Sequence, residues 1–122
     1  VLLYQLFYNL VGNALKFSKS TETPHINIYS EQASAGELND LRLAVDKPHI
    51  KIQITDNGIG FNNAYAFSIF GAFTRLNAKD MYEGTGLGLA LCKKIVERHR
   101  GAIYASGEEG VGATVTVILP MY

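Results

Sequence analysis

Apolar residues recur every three or four positions in the opening segment, from Val1 to Phe17. At about 100° per residue, five of them fall within a sector about 80° wide, which predicts an amphipathic helix facing a core. These five are Leu3, Leu6, Leu10, Ala14 and Phe17. No Ser, Thr, Asp or Asn precedes the first apolar residue as a cap, so we expect the segment to continue from an upstream part of a longer protein.

Two stretches with alternating isoleucines follow, His25 to Ser30 and His49 to Thr55. Alternation with period two predicts half-buried strands, in which Ile26 and Ile28 share one side of the first strand. The segment between them, Ser34 to Lys47, is polar and contains glycine. We therefore expect a long hairpin whose loop is mobile.

The second half of the chain begins with a turn at Asp56 to Phe61, because Asn, Gly and Asp dominate it. Asn62 to Gly84 has no sustained period, and we expect a short helix followed by a flexible lid. From Thr85 onward, helical spacing returns and predicts a second helix that ends at basic residues and Gly101. The residues with this spacing are Leu87, Leu91, Ile95 and Val96. Ile103 to Ala105 and Ala113 to Leu119 then predict a closing hairpin.

Composition limits the function. The chain has 122 residues, 48% of them apolar, which suits one domain with one core. Eleven basic residues balance eleven acidic ones, so we expect no nucleic-acid partner. No apolar stretch is long enough for a membrane span, and the single Cys92 cannot form an internal disulfide. We expect a cytoplasmic domain, and its parent protein can still be anchored to a membrane elsewhere.

Three polar side chains lie close together on the first helix, because Asn9, Asn13 and Lys16 are spaced i, i+4, i+7. They fall within about 60° of one another, at the margin of the apolar stripe. An amide oxygen is a neutral hard ligand that can hold Mg²⁺ beside a triphosphate, and we choose Asn13 as that ligand. Taken alone, such a pair of asparagines is far more typical of a solvated helix flank.

Two glycine-rich motifs suit a nucleotide. Asp56 to Gly60 directly follows a strand, where a carboxylate can accept a hydrogen bond from the exocyclic amine of adenine. Gly58 and Gly60 allow a close backbone approach or a positive φ, although an ordinary Asp-Asn-Gly turn has the same composition. Gly84 to Leu89 opens the second helix, where free backbone N–H groups and the helix dipole favour phosphate.

Together these motifs resemble sensor histidine kinases of the GHKL class. Asn9 to Ser18 is similar to their asparagine box, and three further boxes follow in the family's order. These are Asp56 to Gly60, similar to the first glycine box, Ile69 to Arg75, similar to the phenylalanine box, and Gly84 to Leu89, similar to the second glycine box. Glu83 to Gly101 is similar to the corresponding segment of kinases of the phytochrome-like type.

The resemblance implies an α+β two-layer sandwich, the Bergerat fold, with a mixed β-sheet, helices packed on one face and a flexible ATP lid. It implies that residues 1–122 are the ATP-binding catalytic domain, lacking the upstream dimerisation domain. ATP and Mg²⁺ are the implied cofactors. The implied partners are the parent's own dimerisation domain, which carries the phosphoacceptor histidine, and a response regulator. The parent is expected to be a homodimer and the fragment a monomer.

The resemblance also implies roles for single residues. Asp56 would bind the adenine amine, Asn13 would ligate Mg²⁺ with Asn9 in support, and Phe17 would pack near the nucleotide. Lys16 and Arg75 would contact phosphates, and Phe73 would anchor the lid together with Phe70. The triphosphate would be held by the amides of Gly84, Thr85, Gly86, Leu87 and Gly88.

Three functions remain open at this point. The first is phosphoryl transfer to a histidine outside these residues. The second is ATP hydrolysis, as in the gyrase, mismatch-repair and heat-shock chaperone relatives, which carry a general-base Glu four residues before the metal-binding Asn. Asn9 occupies that position here, and its amide cannot accept a proton from water. The third is a nucleotide-binding module without catalysis.

Overall fold

The structure is a computed structural model that describes residues 2–65 and 87–121. The first helix, α1, spans Leu2–Lys16, as its apolar period predicts. Leu6, Leu10 and Ala14 are buried as expected, whereas Leu3 is 40% exposed. Helical spacing sets the direction of a side chain but not whether another element covers it, so the expectation for Leu3 was wrong.

Four strands form a sheet in the order β1-β2-β4-β3. Their bounds are β1 Ile26–Gln32, β2 His49–Asp56, β3 Ala102–Glu108 and β4 Gly112–Pro120. Each neighbouring pair is antiparallel, so both predicted hairpins are confirmed. The mixed sheet expected from the resemblance is not seen in the described residues. β2 and β3 do run in the same direction, but β4 lies between them and pairs with both.

The main core lies between this sheet and two helices. α3, Leu87–Arg98, returns the chain from β2 to β3 and packs beside α1. The buried residues of this layer come from both helices and from two central strands: Leu6, Leu10, Ile54, Cys92, Ile95, Val96, Val117 and Leu119. The two-layer α+β sandwich is therefore confirmed. Within the described ranges, no helix is long and apolar enough to cross a membrane.

The loop expected between β1 and β2 contains a further helix, α2, at Ala35–Asp40. Its Ser34 cap accepts from the Glu37 N–H, and the Glu37 carboxylate accepts from the Ser34 N–H. Leu38 packs with Ala33 and Ile118 on the sheet face opposite α1 and α3. The two longer helices therefore lie on one face, as expected, and the short α2 covers part of the opposite face. Six residues are too few for a helical period to be read, but Ser-x-x-Glu before a leucine is a capping signature.

Two burial predictions were wrong for similar reasons. β1 was expected to be half-buried, but it is an edge strand and Ile28 is 57% exposed. On α3, Leu91 was expected on the buried side but is 37% exposed, whereas Cys92 is fully buried against Leu6. The helical spacing was correct, but the position of α1 decides which side of α3 faces inward.

Candidate functional site

The carboxylate of Asp56 lies at the end of β2 and is held by the main chain. Its Oδ1 accepts from the Gly58 N–H at 2.8 Å and from the Ala113 N–H at 3.3 Å. Partial burial raises the pKa of Asp56 above its ordinary value, and the two hydrogen bonds oppose that rise. Oδ2 takes part in neither bond, so the main chain orients one carboxylate oxygen, and the other has no hydrogen bond to the described residues.

The end of α1 packs directly against the turn that follows Asp56. The Ile59 N–H donates to the Phe17 carbonyl at 2.9 Å. A Cβ on Gly58 would lie only 2.4 Å from the same carbonyl oxygen, so any larger residue would push α1 away. This contact brings the segment that carries Asn13 and Lys16 to the carboxylate of Asp56.

The turn is held on its other side by the β3–β4 turn. Gly60 has φ +66°, and a Cβ there would lie 2.1 Å from the Glu108 carbonyl oxygen. The Gly110 N–H donates to the Ile59 carbonyl at 2.8 Å. Gly112 also approaches the Asp56 carbonyl so closely that its Cβ would lie 2.0 Å away. Gly58 and Gly60 were predicted to let the backbone approach a ligand, which stays a prediction, and contacts with the chain's own backbone also require glycine at both positions.

The polar residues of α1 lie at the predicted margin of its buried face. Asn9, Asn13 and Lys16 are all half-buried. The Lys16 ammonium lies 4.9 Å from the centre of the half-buried Phe17 ring, within the range of a cation–π contact. The site therefore combines neutral amide oxygens and a positive charge on one helix with a carboxylate on the adjoining turn.

A sequence profile described as histidine kinase-, DNA gyrase B-, and HSP90-like ATPase matches residues 1–122. The chain belongs to this ATPase family. Cyanobacterial phytochrome A of a Nostoc species is 42% identical to it over 119 residues, which are 98% of this chain and 14% of the phytochrome. Sensor histidine kinase YvrG of Bacillus subtilis is 33% identical over 116 residues, covering 93% of this chain and 17% of the kinase. The chain thus spans a small part of these relatives.

Solved structures agree with this ATPase-family assignment. The mycobacterial sensor histidine kinase MprB has a TM-score of 0.75 at 24% identity, covering 95% of this chain and 70% of that one, and shows the common fold. Full-length ShkA in complex with AMPPNP has a TM-score of 0.72 at 26% identity, covering 98% of this chain and 21% of that one. The Bergerat fold is therefore confirmed for this ATPase-family domain.

Part of the predicted site of this ATPase-family domain lies outside the described residues. This applies to the segment expected to form the lid and to Phe73, Arg75, Gly84, Thr85 and Gly86. Leu87 and Gly88 form the first turn of α3. The roles assigned to individual residues therefore stay predictions. The structure does show the asparagine box in contact with the first glycine box, through the Phe17 carbonyl and the Ile59 N–H.

Several residues that build the ATPase-family site were not predicted. Asn57, inside the first glycine box, binds the loop before β1, and Ala113 orients Asp56. Phe61 is buried against Gly107, where a Cβ would lie 2.7 Å from its ring. The one available signal was the concentration of glycines between β3 and β4, which is typical of a backbone that must approach another segment closely.

Proposed function

We propose that this domain binds Mg²⁺-ATP and provides the γ-phosphoryl group for a histidine on the dimerisation domain of a sensor histidine kinase. One observation carries the proposal. The half-buried carboxylate of Asp56 has one oxygen held by two main-chain amides, and it adjoins the end of α1 that bears Asn13 and Lys16. That pairing suits a ligand with a hydrogen-bond donor at one end and negative charge at the other.

Asp56 is the group proposed to select adenine. A carboxylate accepts from the exocyclic amine of adenine, whereas guanine has a carbonyl oxygen at the corresponding position. A hydrogen bond to a charged group contributes about 1.5–3 kcal/mol, so the wrong base would bind at least about tenfold more weakly. The two main-chain amides that bind Oδ1 keep the carboxylate in one orientation. The choice of adenine over guanine would therefore depend on where the base places its exocyclic amine relative to Oδ2.

Asn13 and Lys16 are proposed to hold the metal and phosphate end of the nucleotide, with Asn9 in support. Magnesium bound with a triphosphate takes one or two protein oxygens and completes its shell with phosphate and water, and a neutral amide fits that role. When bound, Mg²⁺ would neutralise phosphate charge. The remaining positive charge around the phosphates would come from the side chains of Lys16 and Arg75 and from the main-chain amides of Gly84 to Gly88.

Transfer to an outside histidine fits this domain better than hydrolysis. Asn9 stands where the hydrolytic relatives were expected to carry a general-base Glu, and an amide cannot activate water. Of the three histidines in the chain, His49 is 2% exposed. His99 lies at the end of α3 with Nδ1 2.8 Å from the Ile95 carbonyl oxygen. His25 is exposed in the loop before β1, so the acceptor is proposed to come from the dimerisation domain of the parent because the family resemblance implies it.

The partners follow from the same proposal. The dimerisation domain would bring two copies together in the parent, and a response regulator would then receive the phosphoryl group. One relative, hybrid signal transduction histidine kinase D of Dictyostelium discoideum, is 32% identical over 98% of this chain. A cytoplasmic location belongs to the proposal because ATP is abundant there and because the single thiol, Cys92, is free.

Calorimetric titration tests the nucleotide half of the proposal. The chain is titrated with a non-hydrolysable ATP analogue and Mg²⁺, and then with the guanine counterpart. Saturable binding of the adenine form, at least about tenfold tighter than the guanine form, is expected. Equal affinities for the two bases would contradict the role of Asp56, and binding of neither would contradict the proposed function.

The transfer half is tested by adding a separately produced dimerisation segment that carries the acceptor histidine. Acid-labile, base-stable phosphate on that segment is expected, and none on this chain incubated alone with ATP. Stable phosphate on any of this chain's own histidines would contradict the assignment of the acceptor. Steady ATP turnover at the rate of a dedicated ATPase, about 1 per second or faster, would favour the hydrolase instead.

A further inference from the structure

The side chain of Asn57 joins two segments that are more than thirty residues apart in the chain. Its Oδ1 accepts from the His25 N–H at 2.8 Å, and its Nδ2 donates to the Thr23 carbonyl at 3.1 Å. Both partners are main-chain groups in the loop between α1 and β1. One amide thus satisfies a donor and an acceptor of that loop from the turn that carries Asp56.

Between Lys19 and His25, one other side-chain contact is seen among the described residues. Residues from Ser20 to His25 are exposed. The ion pair between Lys19 and Glu22, at 2.9 Å, is local because the two residues are three positions apart. An ion pair of this kind contributes little and does not fix the loop relative to the sheet. The two Asn57 hydrogen bonds, by contrast, tie the loop to the end of β2.

We infer that Asn57 is a positioning residue that fixes the metal and phosphate end of α1 relative to the carboxylate of Asp56. The inference rests on the proposed nucleotide-binding function. α1 runs directly into the loop, and Phe17 connects its end to the turn through the Ile59 N–H. With Asn57 holding the other end of the loop, the α1 terminus is fixed on both sides.

The effect is selective because Asp56 does not depend on Asn57 for its orientation. The Gly58 and Ala113 N–H groups hold its Oδ1, and neither contacts the Asn57 side chain amide. Loss of that amide leaves the adenine contact in place and loosens the loop into which α1 runs, so Asn13 and Lys16 are held less firmly relative to Asp56 although the hydrogen bond between the Ile59 N–H and the Phe17 carbonyl remains. The part of the nucleotide affinity that depends on Mg²⁺ should therefore fall more than the part that does not.

The test compares ADP binding in Mg²⁺ with ADP binding in excess EDTA, by calorimetry, for the natural chain and Asn57→Ala. The ratio of the two affinities is the Mg²⁺ enhancement. In Asn57→Ala the enhancement is expected to fall at least about fivefold, while Mg²⁺-free affinity changes less than about twofold. His25→Ala is the matched control, since it keeps the main-chain N–H that Asn57 uses, and it should behave as the natural chain.

Asn57→Asp provides a second measurement, and it keeps the test usable if Asn57→Ala fails to fold. Its carboxylate can accept from the His25 N–H but cannot donate to the Thr23 carbonyl, so an intermediate enhancement is expected. An unchanged Mg²⁺ enhancement in these variants would overturn the positioning role. This includes the case in which the ADP affinity falls by the same factor with and without Mg²⁺. If the natural chain itself binds no ADP in either condition, the proposed function fails first.

Discussion

At the scale of single residues, four of the five positions from Asp56 to Gly60 each meet a different physical requirement. Asp56 presents a carboxylate, Asn57 binds the loop before β1, and Gly58 leaves room for the Phe17 carbonyl. Gly60 takes a positive φ against the β3–β4 turn. A short motif of this kind combines ligand binding with internal packing, so the need for glycine alone does not identify a ligand.

Asp56 is expected to reduce stability while it supports binding. Burial raises its pKa above the ordinary 3.8, so the folded chain binds a proton more tightly than the unfolded chain. The protonated Asp56 carboxyl therefore favours the folded state. This contribution to the free energy of unfolding is fully present below the ordinary pKa and is lost as pH rises through the folded pKa. Asp56→Asn removes this dependence and should leave the free energy of unfolding at pH 7 equal to or above that of the natural chain.

The same variant should bind the adenine nucleotide at least about tenfold more weakly, because an amide nitrogen cannot accept from the exocyclic amine. Urea unfolding between pH 3 and 7 and calorimetric titration measure the two effects. Asp40→Asn, at an exposed carboxyl in α2, is the control and should change neither the pH profile nor the affinity. Natural affinity in Asp56→Asn would contradict the adenine contact.

At the scale of elements, α3 ends at the basic residues before Gly101, as the sequence predicted. The residue with the positive φ, 62°, is Arg100 rather than the glycine that follows it. The Gly101 N–H donates to Val96 and the Arg100 N–H to Glu97, which is a Schellman motif. Gly101 is needed for another reason, since its Cβ would lie 2.1 Å from the Ile118 carbonyl oxygen of β4.

α2 provides an element with a measurable electrostatic contribution. Lys51 on β2 contacts Glu37 of α2 at 2.7 Å and Glu31 of β1 at 2.9 Å. The Lys51 hydrogen bond, together with the Ser34 N–H, lowers the pKa of Glu37. Its stabilising effect is therefore present above the ordinary pKa and is lost as pH falls through the folded pKa.

Glu37→Gln is expected to lower the free energy of unfolding by about 0.5–1 kcal/mol at pH 7 and to speed hydrogen exchange in α2. Glu31→Gln is the matched control. Its carboxylate is 47% exposed, against 31% for Glu37, so a smaller loss is expected. In strong acid the Glu37 variant and the natural chain should be equally stable. Equal effects of both variants at pH 7 would contradict the assigned role of the Glu37 contact.

At the scale of the whole molecule, the candidate site exists because distant segments meet at one turn. α1 contacts it through Phe17, the α1–β1 loop through Thr23 and His25, and β4 through Ala113. The β3–β4 turn contacts it through Gly110. None of these contacts forms until the sheet and α1 are assembled, so the geometry of the site depends on complete folding.

Three glycine-to-alanine variants separate the contributions to this assembly. Gly60→Ala combines a positive φ with a collision against backbone, and we expect a loss of about 3 kcal/mol or more. Gly110→Ala has a positive φ, but no described atom lies within 4 Å of the added Cβ, so a loss of about 1 kcal/mol is expected. Gly12→Ala lies in α1, where the added Cβ also meets no described atom within 4 Å, and it should stabilise the chain by about 0.5–1 kcal/mol.

Denaturant unfolding of the three variants measures the series, and the order of stability is the decisive result. If Gly60→Ala were no worse than Gly110→Ala, the collision with the Glu108 carbonyl would not be a real constraint. A loss of stability in Gly12→Ala would indicate that this face of α1 contacts another part of the chain.

Periodicity and motifs determined the helices, the strands, both hairpins and the family. They could do so because side-chain direction repeats along a helix or strand, and because the four boxes hold their order in the chain. α2 was missed because six residues carry too little periodic signal, although Ser34 and Glu37 form a recognisable cap.

The tertiary structure decided the relations between elements. It placed β4 between β2 and β3, turned Cys92 rather than Leu91 toward α1, and gave Asn57 its partners in a distant loop. Local sequence sets which groups a segment offers. Which of them are buried, approached or bonded depends on segments far along the chain, and those contacts form only when the whole sheet and its helices have packed.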